Sequence, residues 1–340
     1  MTEPLTEPMT EPMTEPLTEP MIEPLTEPTP IELQPPDITR WQHGGSGVDW
    51  VHVLDSGRSG PQLMVQALTH GNEICGAIAL DWLLASGWRP AHGRVTLAFA
   101  NVLAYQRFNV QEPFASRFVD EDMNRVWGDD ALFGTRDSAE LRRARALRPF
   151  VDAATRLLDI HSMSSRCAPL MVCGTVDKNA AFARALGVPE FLLIDTGHPA
   201  GLRMVERGAF SDPQAPQCAL LIECGQHWER AAADVAIDTL VRFLGLGGVA
   251  DAAWVAAHTR LPLPHQQRLV RVTEAVVAHS DHLRFLLPTH GLQVLPHQGT
   301  PLAQDGSHIW TTPYDHCVLV MPGTHNLKAG GTAVRLGRFE

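Results

Sequence analysis

Seven short apolar runs recur from residue 51 onward with helical stretches between them, and this alternation restricts the fold more than any other feature. The runs are VHVL (51–54), QLMVQAL (62–68), RVTLAFA (94–100), RLLDIH (156–161), LMVCG (170–174), FLLID (191–195) and CALLIE (218–223). Near-continuous apolarity over so few residues marks strands buried on both faces. Helices are expected at 72–86, 138–153, 177–186 and 229–244. Such alternation gives an α/β fold, a largely parallel or mixed sheet flanked by helices. After about residue 255 the character changes. RLVRVTEAVVA, GLQVLP, CVLVMP and TAVRLGRF are β-like runs separated by Gly, Pro and Asp turns. A small C-terminal β domain over 256–340 is therefore expected to follow an α/β domain over 36–255.

The opening stretch is of another kind. TEPL-TEPM-TEPM-TEPL-TEPM-IEPL-TEPT places a proline at every fourth position, and eight of the 26 prolines lie in it. Proline lacks the N–H and pushes its predecessor out of the helical region, so neither helix nor central strand can form. An extended, solvated, disordered tail over 1–35 is expected. Seven glutamates fall in this repeat. The chain carries 27 basic and 38 acidic residues, net −11, and without those seven the balance is 27 against 31. Neither part shows the basic stripe that a phosphate backbone requires, so nucleic-acid binding is excluded. No apolar run approaches the ~20 residues of a membrane span. A basic segment followed by an apolar one is not seen at the N-terminus, and the six cysteines form no C-x-x-C pairs. Reduced thiols in the cytoplasm are the expectation. A homo-oligomer is compatible with all of this.

The chemistry concentrates at strand ends. ALTHGNEICG (67–76) puts His70 and Glu73 three apart, between a strand and a helix, where imidazole and carboxylate can reach one ion. Gly71 and Asn72 would supply the tight turn. H-x-x-E alone also arises by chance. In LLDIHSMSS (157–165) His161 ends a second apolar strand, at the edge where α/β sheets place ligands. Asp159, two residues earlier on the same face, could orient its ring. Two His and one Glu with an open position is the donor set of a catalytic zinc. LLIECGQH (220–227) ends a third strand in Glu223, a costly place for a carboxylate unless it serves a site, such as a general base. Otherwise Glu223 is a solvent-facing strand terminus. SRFVDEDMNRVW (116–127) sets Arg117 and Arg125 around acidic residues and Asn124, and Asn124-Arg125 could anchor an anionic group. Its alternative is an acidic surface loop with internal salt bridges. No G-x-S-x-G elbow, P-loop or post-strand G-x-G-x-x-G is present.

In this order, T-H-G-N-E, then RFVDEDMNR, then D-I-H, then E-x-G, the sequence resembles the succinylglutamate desuccinylase/aspartoacylase family, over roughly residues 45–340. The resemblance implies a zinc-carboxypeptidase-like fold with a small C-terminal β domain. It implies one Zn2+ per chain on His70, Glu73 and His161, with Glu223 as general base toward a zinc-bound water. Asn124 and Arg125 would hold the carboxylate of a small anionic N-acyl amino acid, whose amide is hydrolysed as in deacylases, desuccinylases and deacetylases. One departure is visible. Where aspartoacylase-like members carry Asn-Pro-Arg-Ala, this chain reads Asn101-Val102-Leu103-Ala104. Arg107 or Arg117 would then polarise the scissile carbonyl, or zinc would do so alone. Tyr314 is expected to reach the substrate as a family tyrosine does, and Arg203 and Arg207 are candidates for a second anionic group. The competing functions are a metallocarboxypeptidase acting on peptides and a non-catalytic binding module of the same fold.

Overall fold

The computed structural model describes residues 30–340 except 196, 198, 199, 324 and 326. Through residue 29 the expected tail lies outside the described residues. Residues 32–36 are anchored on the body: Leu33 is buried, the Glu32 N–H donates to the Trp228 carbonyl at 3.0 Å, and the Tyr105 hydroxyl donates to the Pro36 carbonyl at 2.6 Å.

The elements alternate as the apolar runs predict. In the first half come β1 (Val51–Asp55), β2 (Gln62–Ala67), α1 (Ile74–Ala85), β3 (Arg94–Phe99), α2 (Val102–Tyr105), α3 (Asp129–Leu132), α4 (Ala139–Ala153) and β4 (Arg156–Met163). There follow β5 (Leu170–Val172), α5 (Asp177–Leu186), β6 (Phe191–Ile194), β7 (Cys218–Gln226), α6 (Arg230–Leu246) and α7 (Ala252–His258). The remainder is β8 (Arg268–Val277), β9 (Arg284–Phe285), β10 (Val294–Leu295), β11 (Pro301–Asp305), β12 (His308–Thr311), β13 (Cys317–Val320) and β14 (Thr332–Phe339). Among the described residues one mixed sheet of eleven strands runs β1-β3-β2-β4-β7-β5-β6-β8-β14-β13-β10, beside a small antiparallel sheet β12-β11-β9.

The central strands β3, β2, β4 and β7 are parallel, so their C-terminal ends share one edge. Each is apolar on both faces because both are covered. Leu158 and Ile160 of β4 face a core with Leu80 and Leu83 of α1 and Leu240 of α6. Leu157, on the other side, packs with Leu141 and Leu147 of α4. α1 is apolar nearly all round, as a helix wedged between sheet and α6 must be. Among the C-terminal strands, β8 pairs in parallel with β6 and β14, β13 and β10 extend the same sheet, while β9, β11 and β12 form the small antiparallel sheet.

Candidate active site

The β2–α1 connection delivers the first two candidate ligands. Leu68, just past β2, takes a left-handed conformation (φ 62°), which a branched side chain adopts only when its surroundings demand it. Gly71 is needed for a different reason. A Cβ there would lie 2.4 Å from the Ala104 carbonyl carbon and the Tyr105 nitrogen, and 2.5 Å from the Ser116 oxygen. Its N–H donates to the Arg117 carbonyl at 3.0 Å, clamping the turn onto the 113–125 loop. His70 and Glu73 are thereby buried, with Glu73 as the residue preceding α1.

Both imidazoles turn Nδ1 inward and Nε2 onto an aspartate. His70 Nδ1 lies 2.7 Å from Glu73 Oε1, and its Nε2 lies 2.9 Å from Asp122 Oδ1. His161 Nδ1 lies 2.9 Å from Glu73 Oε2, within ion-pair distance but outside hydrogen-bond geometry, so this buried oxygen has no hydrogen-bond partner among the described residues. His161 Nε2 is 2.7 Å from Asp159 Oδ2. One ligand atom from each of His70, Glu73 and His161 falls within 4.8 Å of the others. Two inward nitrogens, an orphaned carboxylate oxygen and an aspartate behind each ring fit a metal ion. Asp159 is where the sequence suggests; Asp122, the partner of His70, was hidden among the acids of its loop. Burial works against the charge on Glu73, yet His70 and His161 hold it well below the usual carboxylate range. Against the same burial, Asp159 and Glu73 raise His161 well above an ordinary imidazole.

Glu223 arrives by strand register. On the parallel β4–β7 pair its Cα is the partner of His161. Its Oε2 is buried without a hydrogen bond among the described residues. Burial, reinforced by the charges of Glu73 and Asp159 and opposed by His161 and Arg117, raises its pKa to about 8.

These groups line a cavity of about 460 Å³. Arg117 reaches it, with Nη2 3.0 Å from His70 Nε2 and 3.3 Å from Asp122 Oδ2. Asn124 lies on a single 3-10 turn, Met123–Arg125, and its Oδ1 accepts from the Met204 N–H at 3.2 Å, leaving Nδ2 as the donor. Arg125 Nη1 donates to the Asn124 carbonyl at 2.7 Å, and burial lowers its pKa. Arg203 also lines the cavity, but its guanidinium is taken up by Asp195 (Nη1 to Oδ2, 2.9 Å) and by Glu206. Arg335 of β14, unsuspected from the sequence, joins the wall 3.7 Å from Asp195, and burial together with Arg203 and Arg125 brings it down to about 10. His227, behind β7, is pushed by burial down to about 3, with Arg117, His70 and His161 adding to the effect.

Three candidates lie elsewhere. Tyr314 packs in the C-terminal cluster, its hydroxyl 2.7 Å from Thr273 Oγ1 and its ring under the Arg338 guanidinium, and it does not line the cavity. Arg107 is exposed beyond α2 and is likewise outside it. Arg207 is held by Asp152 and Asp129 instead.

Residues 59–243, more than half of the chain, match the profile of the succinylglutamate desuccinylase/aspartoacylase catalytic domain. The chain belongs to the succinylglutamate desuccinylase/aspartoacylase family. It is 34% identical over 174 residues to "Probable aspartoacylase" of Parasynechococcus marenigrum (strain WH8102). That match covers 48% of this chain and 52% of the relative, so the chain spans about half the length of the relative it matches. The structure of a succinylglutamate desuccinylase/aspartoacylase from Rhodobacter sphaeroides superposes with a TM-score of 0.59 at 18% identity, covering 85% of this chain and 88% of that one. The succinylglutamate desuccinylase of Chromobacterium violaceum gives 0.61 at 18%, covering 86% and 89%. The mixed sheet flanked by helices is thus the fold of solved members of the succinylglutamate desuccinylase/aspartoacylase family. Where this family member departs at Asn101–Ala104, the Asn101 side chain accepts from the Ala104 N–H at 3.3 Å and donates to Glu140, while Leu103 points to solvent. Of the two nearby arginines, Arg117 is the one in the cavity.

Proposed function

We propose that this family member is a zinc-dependent amidohydrolase that cleaves the amide of an N-acyl amino acid to a carboxylate and a free amine. The β4–β7 register carries the proposal, because it sets the unpartnered Glu223 carboxylate beside the His70–Glu73–His161 cluster. Zinc held by His70, Glu73 and His161 would supply Lewis-acid polarisation of the acyl carbonyl and acidify water. Glu223 accepts the proton of the attacking water and returns it to the leaving nitrogen, a task suited to a carboxyl poised near neutral pH. Arg125 and Asn124 Nδ2 hold the substrate carboxylate, with Arg335 as a second cation; this positioning keeps the amide beside the base. Arg117, next to His70 and Glu73, stabilises negative charge developing on the carbonyl oxygen.

The C-terminal strands favour a small substrate over a peptide. Gly291, Met321, Pro322 and Arg335, all from the C-terminal part, contribute to the cavity wall. Among the described residues no helix is long and apolar enough to cross a membrane. Six unpaired cysteines, five of them buried, support the cytoplasm as the working compartment.

The test is a hydrolysis screen of N-acyl amino acids and blocked tripeptides with zinc-loaded and chelator-stripped protein. Activity on the N-acyl amino acids, lost on chelation and restored by zinc, is expected. Preferred cleavage of tripeptides would favour a carboxypeptidase, and chelator-insensitive hydrolysis would contradict the metal's role.

A further inference from the structure

We infer that residues 20–29 of the proline repeat dock, as a polyproline II segment, on a tryptophan-lined surface of the same chain formed by α1, α7 and the turn after α1. The inference goes beyond the deacylase reading and does not depend on it. The surface is a run of half-buried rings. The Trp82 ring centroid lies 5.8 Å from that of His258, His258 stacks on Trp254 at 4.6 Å, and Trp254 is 5.4 Å from Trp88. At one end the Arg260 guanidinium sits 5.7 Å over Trp82. None of the three indole N–H groups has a hydrogen-bond partner among the described residues, and none is sealed from solvent. α7, AAWVAAH, has no buried residue, so an almost wholly apolar helix faces solvent.

The occupant follows from the repeat and from where the described chain begins. A polyproline II helix has three residues per turn, so side chains three apart share a face. A strict four-residue repeat rotates its prolines off any one face. Its end is different: Ile22, Leu25, Pro28 and Ile31 fall on one line, while Glu23, Thr26 and Thr29 fall on another. Ile22 stands where the other six repeats have threonine, and Glu19 ends the line on the far side. Ile31 is already docked, packed on the same core cluster that Trp82, Trp88 and Trp254 cover. The path is short. The Arg230 N–H donates to Glu32 Oε2 at 2.9 Å, and Arg260 Nη1 donates to Asp234 Oδ1 at 2.7 Å. Arg230 and Asp234 are one turn of α6 apart, about 6 Å. Ten residues at ~3.1 Å each then extend far enough to follow the rings. Such a segment makes no hydrogen bonds of its own, so its carbonyls accept from indole N–H groups, and its preformed shape loses little entropy on aromatic-lined grooves. Charge agrees with this placement. Asp81 and Asp234 are already paired with Arg40 and Arg260. Arg89 and Arg230 are exposed without an ion pair among the described residues, and Glu23 and Glu27 arrive with the segment.

The test reads the indole N–H cross-peaks in 1H–15N spectra of the full chain, with Trp82, Trp88 and Trp254 assigned by single Trp→Phe substitutions. Wild type is compared with an Ile22→Asp/Leu25→Asp double variant, which lies outside the folded body and leaves its core untouched. Charge on the docked face should release the segment, shifting these three peaks while those of the interior Trp50 and Trp127 stay in place. A Thr26→Asp/Thr29→Asp variant adds the same charge on the opposite face and should keep the wild-type spectrum. Identical spectra for wild type and Ile22→Asp/Leu25→Asp, or equal shifts in both variants, would overturn the inference. Movement of the three wild-type peaks with protein concentration would overturn it too, by placing a second copy on this surface.

Discussion

Asp159 Oδ2 lies 2.7 Å from His161 Nε2, with both residues fully buried. The same carboxylate accepts from Thr69 Oγ1 at 3.0 Å, and Thr69 Oγ1 in turn accepts from Gln66 Nε2 at 2.8 Å. This chain of bonds ties β2 to β4 beneath the site and fixes the ring so that Nδ1 faces Glu73. Such a partner sets both the tautomer and the basicity of a ligating imidazole.

Asp159→Asn replaces an acceptor-only group with an amide while keeping the shape. Zinc affinity is expected to fall about 10–100-fold with the fold retained. Competition against a chromophoric chelator reads this directly, and unchanged affinity would detach Asp159 from the function of His161.

Glu223 gives the pH dependence of the metal-free protein its sign. Burial beside Glu73 and Asp159 raises the carboxyl to about 8, so between its unfolded value of ~4.3 and that pH the folded state holds a proton the unfolded chain has released. Stability therefore declines as pH rises through this window. His161, also raised, acts in the same direction, its contribution being lost as pH climbs through its folded value. His227, held neutral by burial, acts the opposite way below its unfolded value of ~6.5, so chelated wild type should melt lower above Glu223's folded value than near that of free imidazole, and Glu223→Gln should remove part of that drop. Parallel profiles for the two proteins would contradict the assignment.

Gly71→Ala tests the clamp on His70. The added methyl would meet backbone atoms of Ala104, Tyr105 and Ser116, which cannot rotate away. A loss of about 3 kcal/mol is expected from such overpacking, together with weaker zinc binding. Denaturant midpoints and a metal titration would show both, and a neutral change would mean that the turn has room to give.

Two arginines in one cluster should behave differently. Arg203→Met strands the buried carboxylates Asp195 and Glu206, and the expected loss is about 3–5 kcal/mol of stability. Arg335→Met leaves Asp195 its bidentate partner Arg203, so the protein should fold, with KM for the anionic substrate raised about tenfold and kcat little changed. Equal destabilisation by both substitutions would remove the distinction.

What the sequence makes legible follows from how local each signal is. The strand runs are short, apolar and bounded, so every expected strand up to residue 226 forms, and the strand-end positions of His70, His161 and Glu223 bring them together in space. The C-terminal part is harder. RLVRVTEAVV and TAVRLGRF pair with each other across some sixty residues and with β6 beyond, and no local pattern states that they prolong the main sheet. Arg335 carries a signal of the same kind as Glu223: a guanidinium inside an apolar strand is as costly as a carboxylate at the end of one. Tyr314 shows the converse. Its rarity in the chain suggests a role, but its hydroxyl pairs with Thr273 and the residue is not among those that line the cavity. Asp122 depends on the folding of its loop, and the Ser162–His227 pair on a register shift between β4 and β7 just past His161, neither of which periodicity describes.

The most direct measurement of the central claim is zinc content and N-acyl amino acid hydrolysis, taken together, in Glu223→Gln. Glu223 lies beside the ligand cluster without belonging to it. One zinc per chain is expected to remain while turnover falls by about 100-fold or more, the scale of a lost general base. Near-wild-type turnover in a zinc-loaded Glu223→Gln protein would contradict the account.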